Sequence, residues 1–190
     1  AQYPGCSGHL HQSLTDGGRN LFHDAKGRHG GMSKLFESYL AGQLAELMRM
    51  APMIWPTVNS YKRLVDGFWA PVKPTWGVDN RTATFRVLPG SPKTTRLETR
   101  APGADMNPYL ATAAVIAAGL HGIDHRLDAP RSGAGHLQVQ AGAQRRHPVM
   151  HGRPVGDHQP LEAPLFLEDL GQQPVMFRGI DAVDAVVRAH

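Results

Sequence analysis

Hydrophobic positions recur with two different periods along the chain. In "KLFESYLAGQLAELMRMA" (34–51), Leu35, Tyr39, Leu40, Leu44, Leu47 and Met48 return at three- and four-residue spacing, which is the apolar face of a helix. Ser33 stands at the N-cap position and Pro52 just past the end, so one helix is predicted over the whole stretch. A second is predicted from "DMNPYLATAAVIAAGL" (105–120), with Pro108 at the first helical position and Asp105 or Asn107 as the cap. It is apolar on nearly all sides, which predicts burial against close neighbours. Ahead of both, "GCSGHLHQSL" (5–14) alternates. On a strand His9, His11 and Ser13 share one face, and Leu10, Gln12 and Leu14 the other. "TDGGRN" (15–20) reads as a hairpin turn before "LFHD", and residues 56–105 as Arg-rich loops and strands.

From about residue 129 the pattern changes. "RSGAGHLQVQAGAQRRHPVMHGRPVGDHQP" holds neither period, so 129–190 is expected to be an atypical, weakly ordered tail after a domain of residues 1–128. "AVDAVV" (182–187), with Ile180, is predicted as one short helix.

Composition narrows the class. With 190 residues, 41% hydrophobic and 19% charged, the chain is long enough for one globular core. A net charge of +4 permits an anionic partner, but no basic run is interleaved with aromatics, which argues against nucleic acid. No apolar run reaches membrane-spanning length, and no signal-peptide pattern is present. Cys6 is the single cysteine, which fits a reducing compartment, the cytoplasm. The chain starts with Ala1 rather than Met, and an earlier natural start is expected.

Chemistry gathers between residues 5 and 100. In "RLETR", Arg96, Glu98 and Arg100 share one strand face. Burying that face without partners costs several kcal/mol per ion, so the segment is either a solvated edge strand with cross-strand ion pairs or a site for a cation and an anion. Arg81 and Arg86 have opposite parity on a regular strand, and Arg63 adds positive charge. Several guanidiniums with few carboxylates suit phosphate or carboxylate recognition. His9 and His11 suit a divalent metal, and equally an ordinary hydrogen-bonded pair. A triad of Ser13, His9 and Asp16 can be drawn, as it can in any chain with 11 histidines.

"GCSGHLHQSL", "NSYKRLVDGFWAP", "WGVDNRTATFRV", "RLETR" and "GADMNPYLATAAVIAAGLHGI" together resemble, in this order and over roughly residues 3–127, the later part of the glutamine synthetase catalytic domain. The similarity is greatest to the branch of type III-like enzymes and γ-glutamyl-amine ligases. The resemblance implies an α+β fold, part of that domain, with an antiparallel sheet backed by helices. It implies ATP-dependent joining of glutamate to ammonia or an organic amine through γ-glutamyl phosphate, with Mg²⁺ or Mn²⁺, in a homo-oligomeric parent enzyme. Residue by residue, His9 and Glu98 would hold the metal. His11, Ser13, Arg86, Lys93 and Arg96 would contact ATP, and Arg81 would neutralise charge during phosphoryl transfer. Gly5, Arg63 and Arg100 would bind glutamate.

Three features depart from the family. Trp69 stands six residues after Arg63, in the flap, where the family usually has a glutamate that takes a proton from ammonium. The acidic strands completing the metal cage, and the small N-terminal domain, are expected before Ala1, so this chain alone is expected to be inactive. The tail after Pro130 is unlike the family's last helices. The competing reading is a truncated, non-catalytic relative with a structural or assembly role.

Overall fold

A computed structural model describes residues 6–65, 70–132 and 184–189, within one compact unit that comprises Ala1–Leu137 and Asp181–His190. Its strands are β1 (Leu10–Asp16), β2 (Arg19–Asn20), β3 (His23–Gly27), β4 (Trp76–Val78), β5 (Phe85–Leu88), β6 (Arg96–Thr99) and β7 (Asp184–Ala189). The helical segments are α1 (Arg28–Gly31), α2 (Lys34–Glu46), α3 (Ala51–Ile54), α4 (Val58–Tyr61) and α5 (Pro108–Asp124).

β1 alternates buried and half-buried residues as the pattern requires. Gly17 and Gly18, with φ of 53° and 81°, make the two-residue turn to β2, since two successive positive φ values match the twist of a hairpin. The sheet runs β2-β1-β6-β5-β4, with β7 also on β1. Leu10 pairs with Thr99 and Ala189, and Thr15 with Asn20 and Asp184. β7 therefore takes one edge of β1, while β6 and then β2 take the other. The fold is α+β as expected, and its pairings are antiparallel except β4 with β5, which is parallel.

Leu10, Leu14, Phe85, Val87 and Leu97 form the core face with Phe22, Phe36, Tyr39 and Leu40. α2 and α5 back this face with their backbones in contact. A Cβ on Gly42 would lie 2.1 Å from the Ala118 carbonyl oxygen and 2.7 Å from the Gly122 Cα. Gln12, the polar member of the β1 core face, is buried with Tyr39, Gln43 and Thr99. The Gln12 amide donates to Thr99 Oγ1 at 2.8 Å, and Gln12 Oε1 accepts from Tyr39 OH at 2.8 Å and Gln43 Nε2 at 2.6 Å. Thr99 closes the ring by donating to Gln43 Oε1 at 2.8 Å. Burial pushes the Tyr39 phenol's pKa up, so it serves as a neutral donor.

Ser33 caps α2 by accepting from Phe36 N at 3.1 Å, but the helix stops at Glu46 rather than near residue 51. Pro52 instead occupies the first turn of α3, where its missing N–H costs nothing. Asn107 caps α5, whereas Asp105 accepts from Thr57 Oγ1 and Ser60 Oγ at 2.7 Å each. The segment predicted as a short helix near 182–187 is corrected as well: Asp184–Ala189 is a strand. The other residues of the expected weakly ordered tail beyond 132 lie outside the described residues.

Candidate active site

The second face of the sheet carries the charged residues, and strand register decides which of them meet. His11 pairs with Glu98 across β1 and β6, and Glu98 with Arg86 across β6 and β5. Three side chains converge on the buried Glu98 carboxylate. His9 Nδ1 lies 3.1 Å from Oε1, Arg100 Nη1 donates to Oε1 at 2.6 Å, and Arg86 Nη1 donates to Oε2 at 2.8 Å. Burial alone would raise the pKa of Glu98, but the hydrogen bonds from His9 and Arg86 and the charge of Arg100 outweigh it. They hold the group well below the usual carboxylate range, so it is an anion at neutral pH.

Two of the three neighbours of Glu98, His9 and Arg86, have a second tether. Ser7 Oγ lies 3.2 Å from His9 Nε2. Asp79 accepts from Arg86 Nε at 3.0 Å and also from Nη2. Burial works to lower the Arg86 pKa, but its bonds to Asp79 and Glu98 prevail and raise it. Arg96 Nε donates to His11 Nδ1 at 3.2 Å; a guanidinium can only donate, so this nitrogen bears no proton.

Arg63 is half-buried beside Arg100. Its Nη1 donates to the Ala101 and Pro102 carbonyls at 3.1 and 3.3 Å. Burial and the adjacent Arg100 charge lower its pKa. Arg100 Nε is a buried side-chain polar atom with no hydrogen-bond partner among the described residues. An unpartnered buried donor beside a second guanidinium is an arrangement that an anion would relieve.

Of the predicted site residues, His9, Arg86 and Arg100 are joined to Glu98, His11 pairs with Arg96, and Arg63 stands beside Arg100. Ser13 lies on the same strand face, half-buried. Arg81 sits exposed in the turn before β5, and Lys93 exposed in the turn before β6. Gly5 and Trp69 lie outside the described residues. Sequence reasoning missed Asp79 and Ser7: "VDNR" signals only a turn, and Ser7 precedes the strand.

His9 Nδ1 and Glu98 Oε1 face each other as a hydrogen-bonded pair, the nitrogen donating. Mg²⁺ bonds of about 2.1 Å put neighbouring donors of an octahedron roughly 3.0 Å apart, so at 3.1 Å the pair would admit a cation in place of the proton between them. They supply only part of a shell, since no group of three or more His, Cys, Asp or Glu able to hold a metal occurs among the described residues. A cavity of about 340 Å³ bordered by Arg28, His29, Trp76 and Pro130 contains none of these residues. Convergent charge marks the site, not cavity size.

The model of the family "Glutamine synthetase, catalytic domain" matches residues 1–150. The chain belongs to the glutamine synthetase catalytic-domain family. Among curated relatives of this glutamine synthetase-family chain, type-1 glutamine synthetase 2 of Dictyostelium discoideum is 51% identical over 127 residues, covering 66% of this chain and 24% of the relative. The γ-glutamylethanolamide synthetase GlnA4 of Streptomyces coelicolor is 49% identical over 127 residues, covering 66% of the chain and 26% of the relative. Glutamate–isopropylamine ligase of a Pseudomonas species is 40% identical over 128 residues, covering 67% and 28%. The chain thus spans about a quarter of the length of the relatives it matches. No helix among the described residues is long and apolar enough to cross a membrane.

Proposed function

We propose that these residues serve ATP-dependent ligation of glutamate to ammonia or an organic amine, within a catalytic domain longer than this chain. The observation that carries the reading is the buried anionic Glu98 between His9 and two guanidiniums, beside the unpartnered Arg100 Nε. Arg100 and Arg63 would hold the glutamate carboxylate, which gives the orphan donor its acceptor. His11, Ser13, Arg86, Lys93 and Arg96 would contact the nucleotide, and Arg81 would spread charge as the γ-phosphoryl moves to the glutamate side chain. An amine then displaces phosphate from γ-glutamyl phosphate and forms the amide.

His9 and Glu98 would hold Mg²⁺ or Mn²⁺, which supplies charge neutralisation at the phosphates. No further donors for this cation occur among the described residues and the chain spans about a quarter of the length of its relatives, so the 190-residue chain is expected to bind ligands without turnover. Calorimetric titration with L-glutamate should show binding that Arg100→Ala abolishes and Arg63→Ala weakens. Glutamate binding unchanged in both variants would overturn the assignment. Glutamate-dependent phosphate release from ATP by the chain itself, abolished by Glu98→Ala, would overturn the requirement for further donors.

A further inference from the structure

β4 and β5 run parallel and adjacent, yet only residues 79–84 connect them. Parallel neighbours normally need a crossover of about a dozen residues or more, so this connection must turn tightly. Asp79 makes the turn, with φ of +47° and its N–H donating to the Val87 carbonyl at 2.8 Å. Asn80 fixes the next step by accepting from Thr82 N at 2.8 Å and Thr82 Oγ1 at 2.7 Å. Aspartate enters the left-handed region more readily than most residues, so the backbone strain is small. The result is an exposed carboxylate that grips Arg86 on its Nε and Nη2 edge, while Nη1 alone reaches Glu98.

That division matters for Glu98. Guanidinium and carboxylate prefer two parallel bonds, fork to fork. An Arg86 without Asp79 would rotate to take both Glu98 oxygens. Glu98 Oε1 already accepts from Arg100 at 2.6 Å and faces His9 Nδ1 at 3.1 Å. A cation would enter there by replacing the His9 proton, and a further donor from Arg86 would crowd that oxygen and set a positive charge where the cation would sit.

We propose that Asp79 is a positioning residue of this site, holding Arg86 side-on and off Glu98 Oε1, so that this oxygen can serve a divalent cation together with His9. The last clause rests on the reading of His9 and Glu98 as cation donors; the hold on Arg86 does not.

Two measurements on the full chain test it. In a crystal structure of Asp79→Ala, Arg86 should make two bonds to Glu98. An Arg86 still joined to Glu98 by Nη1 alone would overturn the proposal. Mn²⁺ titration, followed by the free-ion electron paramagnetic resonance signal, tests the consequence. Asp79→Ala should weaken Mn²⁺ binding on the order of tenfold, the size seen when groups orienting metal ligands are removed. Asp79→Asn keeps an acceptor oxygen for Arg86 and should bind nearly as the parent does. In an Arg86→Ala background, Asp79→Ala should change nothing further. Equal losses in Asp79→Asn and Asp79→Ala would show that charge alone acts, and a loss that persists without Arg86 would make Asp79 a direct ligand; either overturns the proposal. If the parent chain takes up no Mn²⁺, the cation reading fails while the Asp79→Ala structure still decides the hold on Arg86.

Discussion

Thr99→Val isolates the polar ring beneath the site, because valine matches threonine in shape and removes only the hydroxyl. Thr99 Oγ1 makes two bonds of 2.8 Å, one accepted from Gln12 and one donated to Gln43. Without it, among the described residues, the buried Gln43 Oε1 loses its donor and Gln12 Nε2 keeps the Leu10 carbonyl at 3.5 Å. Each orphaned buried group costs about 1–3 kcal/mol, so the loss should be roughly 2–5 kcal/mol. Tyr39→Phe is the control, since Gln12 Oε1 keeps Gln43 at 2.6 Å. Losing one satisfied bond costs about 0.5–1.5 kcal/mol. Urea unfolding of the chain at neutral pH, followed by far-ultraviolet circular dichroism, should show Thr99→Val shifting the midpoint well beyond Tyr39→Phe, with the denaturant slope unchanged. A Thr99→Val loss at or below that of Tyr39→Phe would refute the closed ring.

Other substitutions probe other layers. Gly42→Ala gains about 1 kcal/mol of helix propensity but sets a methyl 2.1 Å from the Ala118 carbonyl and 2.6 Å from Gly122 N. Backbone yields less readily than side chains, so overpacking should win and lower stability by about 1–3 kcal/mol net, read by the same unfolding assay. The Thr57 and Ser60 hydroxyls hold Asp105 below the ordinary aspartate value of 3.8, so its contribution is present above that value and is lost as pH falls through the lower, folded one. Asp105→Ala should therefore depress Tm at pH 7, and the gap to the parent should close in acid; a gap constant down to the most acidic pH at which both fold would contradict this. On the proposed reading, in an enzyme containing this chain Trp69 would offer an apolar surface where the family's flap carboxylate would attract ammonium. Trp69→Ala should cost about 1–3 kcal/mol of discrimination in kcat/KM for methylamine or ethanolamine over ammonia, and a parent that strongly prefers ammonia would rule this out.

How much of this was legible in the chain depends on the kind of information each feature needs. Alternation placed His9, His11 and Ser13 on one face of β1, and Arg96, Glu98 and Arg100 on one face of "RLETR", because side-chain direction on a strand is local. Which residue stands opposite which is not local. The pairing of His11 with Glu98 and of Glu98 with Arg86 is set by register between strands up to 87 residues apart. The opposite-parity argument separated Arg81 from Arg86, and the structure leaves Arg81 in the exposed turn while Arg86 enters the row. α2 was read too long because Leu47 and Met50 stay buried after the helix ends, so the apolar spacing outlasts the helical backbone. "AVDAVV" failed differently. A short apolar run suits either period, and pairing with β1 decides for the strand, where Ala185, Val187 and Ala189 stand opposite Leu14, Gln12 and Leu10 in the register.

The charge balance of the site argues for the kind of ligand it awaits. The site holds four guanidiniums, Arg63, Arg86, Arg96 and Arg100, and two carboxylates, Glu98 and Asp79, an excess of two positive charges among these six residues. Two of the guanidiniums stand side by side, and one buried donor has no acceptor. A cation arriving alone at His9 and Glu98 would deepen that excess. An anion arriving alone would leave the Glu98 carboxylate opposing it. A divalent cation bound together with a polyphosphate, which keeps net negative charge after taking the metal, satisfies both the carboxylate and the guanidiniums. The second anion, a carboxylate on the Arg63 and Arg100 side, then accounts for the orphan donor. On that reading Glu98, buried and triply held, would be the fixed negative charge around which ligands of opposite sign are sorted.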